Sequence, residues 1–379
     1  MDRDVTHRPS PSDPAPAAGP GRPPPTRAIL ELTYRCDLRC AHCLVDAGGV
    51  GGDELSREGM LDAVDQLAAL GVRVVTVTGG EPLLRRDWLD VAARIRERGM
   101  VFRLSTNGHL LDAAVLTQLE EVGTQRVVVS VDGTRASHDQ VRSGLGRRGR
   151  DSSFDLVMAC LDRLQGSEVV SSVITAVTRL SLGQLPAIQA LLKDRGVQRW
   201  TVQLAHATGR LRGPGANGAP SPLLLEPEQL EELAAFLEGA AADPVLPPIV
   251  FNSIGYLSRE EPIIRPSGRD RPFPFWTGCQ CGIRTVGIEP DGGVKGCANQ
   301  VGDPFVVGNL REEPLRVIWD DEARWHWLRP RPEQMAGVCA ECKLAPVCGA
   351  GCTALAYASS GALFDNPFCL RAVRRGDHG

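Results

Sequence analysis

Cysteine spacing constrains this chain more than any other feature, because its twelve cysteines fall almost entirely in short, closely spaced groups. Cys36, Cys40 and Cys43 lie within eight residues of one another near the N-terminus. Cys339, Cys342, Cys348, Cys352 and Cys369 crowd the C-terminus, with Cys279, Cys281 and Cys297 upstream of them. In a short secreted protein such groups would read as disulfides. Here the chain has 379 residues and its N-terminus lacks the apolar stretch of a secretory signal. A cytoplasmic setting is therefore expected, with the grouped thiols kept as metal ligands. Cys160 stands apart on a predicted helix and reads as a small core residue.

Three thiolates on one loop can hold three irons of a four-iron, four-sulfide (4Fe–4S) cluster and leave the fourth iron open to a ligand from solution. Zinc is the alternative; it would want a fourth ligand such as His42, whose neighbour Cys43 makes that geometry awkward. For the C-terminal group the same choice stands between iron–sulfur clusters and a zinc ribbon.

Where the first group sits follows from the hydrophobic pattern. Strand-like runs at 28–33, 72–78, 101–105, 126–131, 169–178 and 200–204 are rich in Val, Ile and Thr and nearly continuous in hydrophobicity, as in strands buried on both faces. Amphipathic helical stretches at 57–70, 87–98, 112–122, 154–164 and 184–195 separate them. That alternation predicts a parallel α/β sheet, closed at most into a partial (β/α)6 TIM-like barrel whose chemistry lies at the C-terminal ends of the strands. The first cysteine group follows the first of these strands directly. Residues 1–26, with eight prolines and few large apolar side chains, are expected to be a disordered tail. The barrel is assigned to 27–210, a linker or bridging region with a helix near 227–239 to 211–275, and a loop-rich, cysteine-dense module to 276–379.

The C-x3-C-x2-C spacing of Cys36, Cys40 and Cys43 resembles that of the radical S-adenosylmethionine (SAM) superfamily, and three further motifs at successive strand ends agree. The stretch Thr78, Gly79, Gly80, Glu81, Pro82 closes the second strand; Ser105, Thr106, Asn107, Gly108 the third; Ser130, Val131, Asp132, Gly133 the fourth, followed by Arg142. The resemblance implies that the three cysteines hold a 4Fe–4S cluster whose open iron takes the methionine moiety of SAM. Reductive cleavage then releases a 5′-deoxyadenosyl radical that abstracts hydrogen. It also implies that His42 packs on the adenine. Gly79, Gly80, Glu81 and Pro82 would receive the methionine amino group, with Glu81 as acceptor. Ser105, Asn107, Ser130 and Asp132 would contact the cosubstrate, and Arg142 would pair with its carboxylate.

The C-terminal group, with Gly292 five residues before Cys297, resembles the SPASM domain, which carries auxiliary iron–sulfur clusters. Carried over, Cys279, Cys281, Cys297 and Cys352 would bind one auxiliary cluster, and Cys339, Cys342, Cys348 and Cys369 another. Such clusters suit a net oxidation, in which a substrate radical must lose an electron. The resemblance is of the peptide-maturase type and implies a ribosomally made precursor peptide as substrate, with an oxidative carbon–carbon or thioether cross-link as product. Ala298 stands where sulfatase maturases place a basic Asp, which counts against formylglycine formation. Residues 1–26 are too few for a leader-gripping module, so a separate leader-peptide-binding protein is an expected partner, beside an electron donor such as flavodoxin or ferredoxin. Action on a small molecule such as a sugar or aminoglycoside is the first alternative; a non-catalytic metal-binding scaffold is the second. A net charge of −4 gives no electrostatic case for nucleic acid, and no apolar run is long enough to span a membrane. Tyr34, Trp88, Trp276, Trp325 and Trp327 read more readily as packing than as substrate contacts; His206, after the last barrel strand, is the best placed of the aromatic candidates.

Overall fold

The protein is described here from a computed structural model covering residues 22–48, 53–144, 152–212, 221–250, 254–265, 275–302, 305–325 and 332–375. Strand β1 (Arg27–Glu31) leads through the cysteine loop to α1 (Arg57–Leu70), β2 (Val74–Thr78), α2 (Trp88–Glu97), β3 (Val101–Thr106), α3 (Ala113–Glu121) and β4 (Arg126–Ser130). Then come α4 (Arg135–Val141), α5 (Ser153–Leu164), β5 (Val170–Val177), α6 (Leu185–Asp194) and β6 (Arg199–Leu204). Next are α7 (Leu230–Ala240), β7 (Pro248–Val250), α8 (Glu261–Ile264), β8 (Thr285–Ile288), β9 (Gly293–Lys295), β10 (Gly308–Asn309) and α9 (Leu315–Asp320). Short helices follow: α10 (Gly337–Ala340), α11 (Ala345–Cys348), α12 (Thr353–Ser360) and α13 (Leu370–Arg375).

Local sequence explains the elements. Ser56 caps α1 by accepting from the Gly59 N–H at 3.1 Å, and Gly71 ends it in the left-handed conformation that a Cβ would disfavour. Between these caps Met60, Ala63, Val64, Leu67 and Leu70 recur at helical spacing and are buried against the sheet.

The ten strands among the described residues form one sheet, in the order β10-β9-β8-β1-β2-β3-β4-β5-β6-β7. From β1 to β6 every neighbouring pair is parallel, which is the expected partial barrel, and β7, within the expected bridging region, adds a seventh parallel strand beside β6. Burial departs from the expected two-sided pattern: in β2, β3, β4 and β6 buried residues alternate with half-buried ones. One face meets the helices; the other looks into the barrel, where the site needs open space. The short α4 carries no apolar stripe, so periodicity could not find it; Ser137, His138 and Val141 hold it down by burial.

The C-terminal region joins the barrel sheet directly. Strand β8 pairs parallel with β1, from Arg27 opposite Thr285 to Leu30 opposite Ile288, and β9 folds back antiparallel on β8. Lys295, at the end of β9, is fully buried with its ammonium 2.9 Å from Glu31 of β1 and 2.7 Å from Glu289. Burial alone would lower its pKa; the two carboxylates reverse that and raise it.

The expected Pro-rich tail lies outside the described residues up to residue 21. Arg22 packs its guanidinium 3.9 Å from the centre of the Trp319 ring and donates to the Trp319 carbonyl at 2.9 Å. Within the expected linker, residues 213–220 also lie outside the described residues.

Removing the Lys295 ammonium would strand two carboxylates in the interior. Lys295→Met should cost about 3–5 kcal/mol, the range for breaking a buried ion pair by deleting one partner. Glu31→Gln in the same chain should recover part of it. Denaturant midpoints of the three proteins measure both effects; equal midpoints for wild type and Lys295→Met would refute the account.

Candidate active site

The cysteine loop is held from three sides. Glu54 accepts from the Thr33 hydroxyl and the Tyr34 N–H, both at 2.8 Å. Gly80 donates to the Thr33 carbonyl at 2.7 Å, and Glu81 to that of Arg35 at 2.8 Å. This approach requires glycine: a Cβ on Gly79 would stand 2.6 Å from the Thr33 oxygen, and one on Gly80 2.3 Å from the Arg35 oxygen. On the far side Arg210 donates to the Cys40 carbonyl at 2.8 Å and to the Ala47 carbonyl, and forms an ion pair with Asp46 at 2.7 Å. Sequence reasoning missed Arg210; it lies four residues beyond His206, with no motif to mark it.

Each of the three loop sulfurs receives an N–H: from Leu38 to Cys36 at 3.4 Å, from Ala47 to Cys43 at 3.4 Å, and from the Arg142 guanidinium to Cys40 at 3.8 Å. Donors aimed at sulfur favour thiolates, so the set fits a metal cluster. Burial pushes the Cys36 thiol up to about 12, so a positive counter-charge is needed to ionise it, and bound iron would supply one.

The loop cysteines open onto a cavity of about 240 Å3 at the C-terminal ends of the strands. His42, Gly79, Gly80, Ser105, Asn107, Ser130, Asp132 and Arg142 line it with them. Asp132 is buried and accepts from Ala176 N–H at 2.7 Å; His42 Nε2 lies 2.8 Å from it and Arg142 donates to it through Nε. Burial would raise the Asp132 pKa, but the Arg142 and His42 charges hold it well below the usual carboxylate range. Arg142, expected as a partner for a ligand carboxylate, is thus engaged with Asp132 and placed beside Cys40.

Glu81 does not line the cavity. Its carboxylate is fully buried, accepting from the Thr106 hydroxyl at 2.9 Å, the Asn107 N–H at 2.8 Å and the Leu83 N–H at 3.1 Å. Rather than facing a ligand, it straps the end of β2 to the end of β3, because those backbone donors would otherwise be orphaned in the interior. Pro82 starts a single 3-10 turn behind it and is likewise absent from the cavity wall. Asn107 does face the cavity and donates to Asp37 at 2.7 Å.

Among the later cysteines, Cys279, Cys281 and Cys297 interact, which lowers Cys279 and Cys297 and raises Cys281 in pKa, and Cys352 is close enough to feel the Cys279 and Cys297 charges. Cys339, Cys342, Cys348 and Cys369 line one small cavity between α10, α11 and α13. Cys160 is buried in the core beneath Gly108. Ala298 and Asn299, which follow Cys297, reach the wall of the 240 Å3 cavity. Trp88, Trp276 and Trp325 are buried packing residues, and Trp327 lies outside the described residues.

A partial α/β barrel with a three-thiol loop at its mouth and further thiol sets in an appended module is the framework of a metal-cluster enzyme. The sequence profile of the radical SAM superfamily matches residues 30–192, and that of the iron–sulfur cluster-binding domain SPASM matches 279–343. The chain is 29% identical to an AdoMet-dependent heme synthase of Methanosarcina barkeri, over 91% of this chain and 96% of that one. It is also 29% identical to the mycofactocin maturase MftC of Mycolicibacterium smegmatis, over 86% and 78%. Among solved structures, anSMEcpe with bound AdoMet and a peptide superposes with a TM-score of 0.69 at 17% identity, covering 93% of this chain and 96% of that one. Streptococcus suis SuiB bound to its precursor peptide SuiA superposes with a TM-score of 0.65 at 15% identity, covering 91% and 75%. Residues 30–192 thus form a radical SAM domain and residues 279–343 a SPASM domain. The chain is an enzyme whose cofactors are a SAM-binding 4Fe–4S cluster, SAM itself and auxiliary iron–sulfur clusters. No helix among the described residues is long and apolar enough to cross a membrane.

Burial raises the Glu81 carboxyl from its ordinary 4.5 to about 7. A carboxyl raised on folding makes the folded state take up protons, so its contribution to stability is full below about pH 4.5 and lost as pH rises through about 7. Glu81→Gln should flatten that fall. Denaturant midpoints at pH 5 and pH 8 test it: an undiminished fall in the variant would assign the titration elsewhere.

Proposed function

We propose that this chain is a maturase that abstracts a hydrogen atom from a ribosomally made precursor peptide and leaves an oxidative cross-link, carbon–carbon or thioether. The observation that carries the reading is the meeting of the two modules at one chamber. Ala298 and Asn299, directly after Cys297, wall the same cavity as Cys36, Cys40 and Cys43, which supports an electron leaving the substrate there toward the Cys297 side.

In this reading Cys36, Cys40 and Cys43 hold the catalytic cluster. Cys279, Cys281, Cys297 and Cys352 hold one auxiliary cluster, and Cys339, Cys342, Cys348 and Cys369 the other. When bound, the catalytic cluster and SAM supply a 5′-deoxyadenosyl radical that removes hydrogen from the substrate. The chain's own residues do the positioning. Gly79 and Gly80 let the end of β2 close on the loop; Ser105, Asn107 and Ser130 offer hydrogen bonds from strand ends; Arg142, held by Asp132, keeps a positive charge beside Cys40. Strand-end placement aims these groups at one point on a rigid sheet, as a reaction that must confine a radical requires. Ala298 leaves that part of the wall without a carboxylate base. A leader-binding protein and a reduced flavodoxin or ferredoxin complete the proposed system.

The second reading, a small-molecule substrate, is favoured by the relatives named as heme synthases, which match nearly the whole chain. Anaerobic co-expression with any short reading frame found next to the gene separates the two. The peptide's mass should fall by two hydrogens per modification. Replacing Cys36, Cys40 and Cys43 together by Ala should abolish both the mass change and 5′-deoxyadenosine formation, and remove one cluster's iron. An unmodified peptide from an enzyme that still cleaves SAM would favour the small molecule.

A further inference from the structure

Beside the thiol-lined chamber lies a second cavity, larger, at about 500 Å3. It runs between the segment after β6 and helix α12 of the C-terminal module. Ala205 walls both cavities, so they adjoin at the end of β6. Leu211, Leu225, Leu355 and Phe368 make its wall largely apolar. Among its described lining residues Arg212 is the single cation, and the single carboxylate, Glu226, is paired with Arg179. The adjoining residues 213–220 contain no charged residue in sequence.

His206 stands where the cavities meet. It lines the thiol chamber, is 2% exposed, and its Nδ1 is sealed from solvent without a hydrogen-bond partner. Burial holds its pKa down at about 4, so at neutral pH the ring is uncharged, with one N–H and one lone pair. A buried ring nitrogen without a partner among the described residues is costly to keep, and at a chamber wall a substrate group can supply that partner.

We propose that the second cavity receives an uncharged, apolar side chain of the substrate peptide and that His206 hydrogen-bonds the neighbouring substrate residue where it enters the thiol chamber. This rests on the peptide reading and specifies it further. The charge pattern selects the occupant. A porphyrin bearing four carboxylates would need several cations to compensate their burial, and this wall offers Arg212 alone. In the adjoining chamber Arg142 is engaged with Asp132 and Arg210 with Asp46. A volume of about 500 Å3 lies within the usual range of ligand pockets and is ample for one large side chain with its flanking backbone.

The test uses reconstituted, SAM-loaded full-length protein, a synthetic copy of the peptide encoded beside the gene, and iron-coproporphyrin III as a competitor. Ala358→Trp fills the cavity from α12; His206→Ala removes the ring, and His206→Gln restores a hydrogen-bonding group. Iron and sulfide content and circular dichroism report whether each variant folds and loads. Peptide dissociation constants should rise about tenfold in Ala358→Trp and His206→Ala, with partial recovery in His206→Gln. Peptides carrying Asp in place of the apolar residue beside the modified one should bind wild type as weakly. Iron-coproporphyrin III should not compete. If wild type modifies the peptide yet all variants bind it equally, or the Asp peptide binds as well, this inference falls and the peptide reading stands. If the peptide does not bind wild type, or iron-coproporphyrin III binds in a manner that Ala358→Trp weakens, both fall together.

Discussion

One buried ammonium holds the architecture together. Lys295 reaches from β9 to Glu31 on β1 and to Glu289 before the β8–β9 turn, with all three groups in or near the interior. A lone charge there would be prohibitive; together the three are tolerable only in this arrangement. Glu31 is both the last residue of β1 and part of the chamber wall, and Lys295 lies two residues before Cys297. The same ion cluster therefore fixes where the catalytic loop starts and where the auxiliary thiols stand relative to it.

Around that anchor the chamber is built by removing bulk and spending polar groups on the backbone. Gly79 and Gly80 give up side chains so that β2 can meet the cysteine loop. Glu81 gives up its contact with the chamber to satisfy the turn after β3. Asp132 orients both His42 and Arg142. These residues serve reactivity by keeping the thiol loop immobile, which fits a reaction whose intermediate would attack whatever strays near it.

Much of this was legible in the sequence because it is carried by short-range patterns. The α1 boundaries follow from a Ser cap, a helical apolar stripe and a closing Gly, and the three-thiol loop after β1 from the spacing of Cys36, Cys40 and Cys43. What escaped is what depends on distant partners. Arg210 clamps the loop from across the barrel and carries no motif. The role of Glu81 turns on which donors the fold brings near its carboxylate, and a Gly-Gly-Glu-Pro stretch is silent about that. The helix α4 is held by burial of His138 and not by periodicity. The joining of β8 to β1 could not be inferred, since the pairing strands are some 250 residues apart and β8 is only four residues long.

That pairing bears on how such enzymes are assembled over evolutionary time. An open barrel leaves one flank of β1 with a row of unpaired amide and carbonyl groups, an invitation to self-association. Here the cluster-bearing module supplies the missing neighbour. The appended module thus acts as the barrel's edge guard, and exchange of such modules between relatives would be limited first by whether the incoming hairpin can dress that flank.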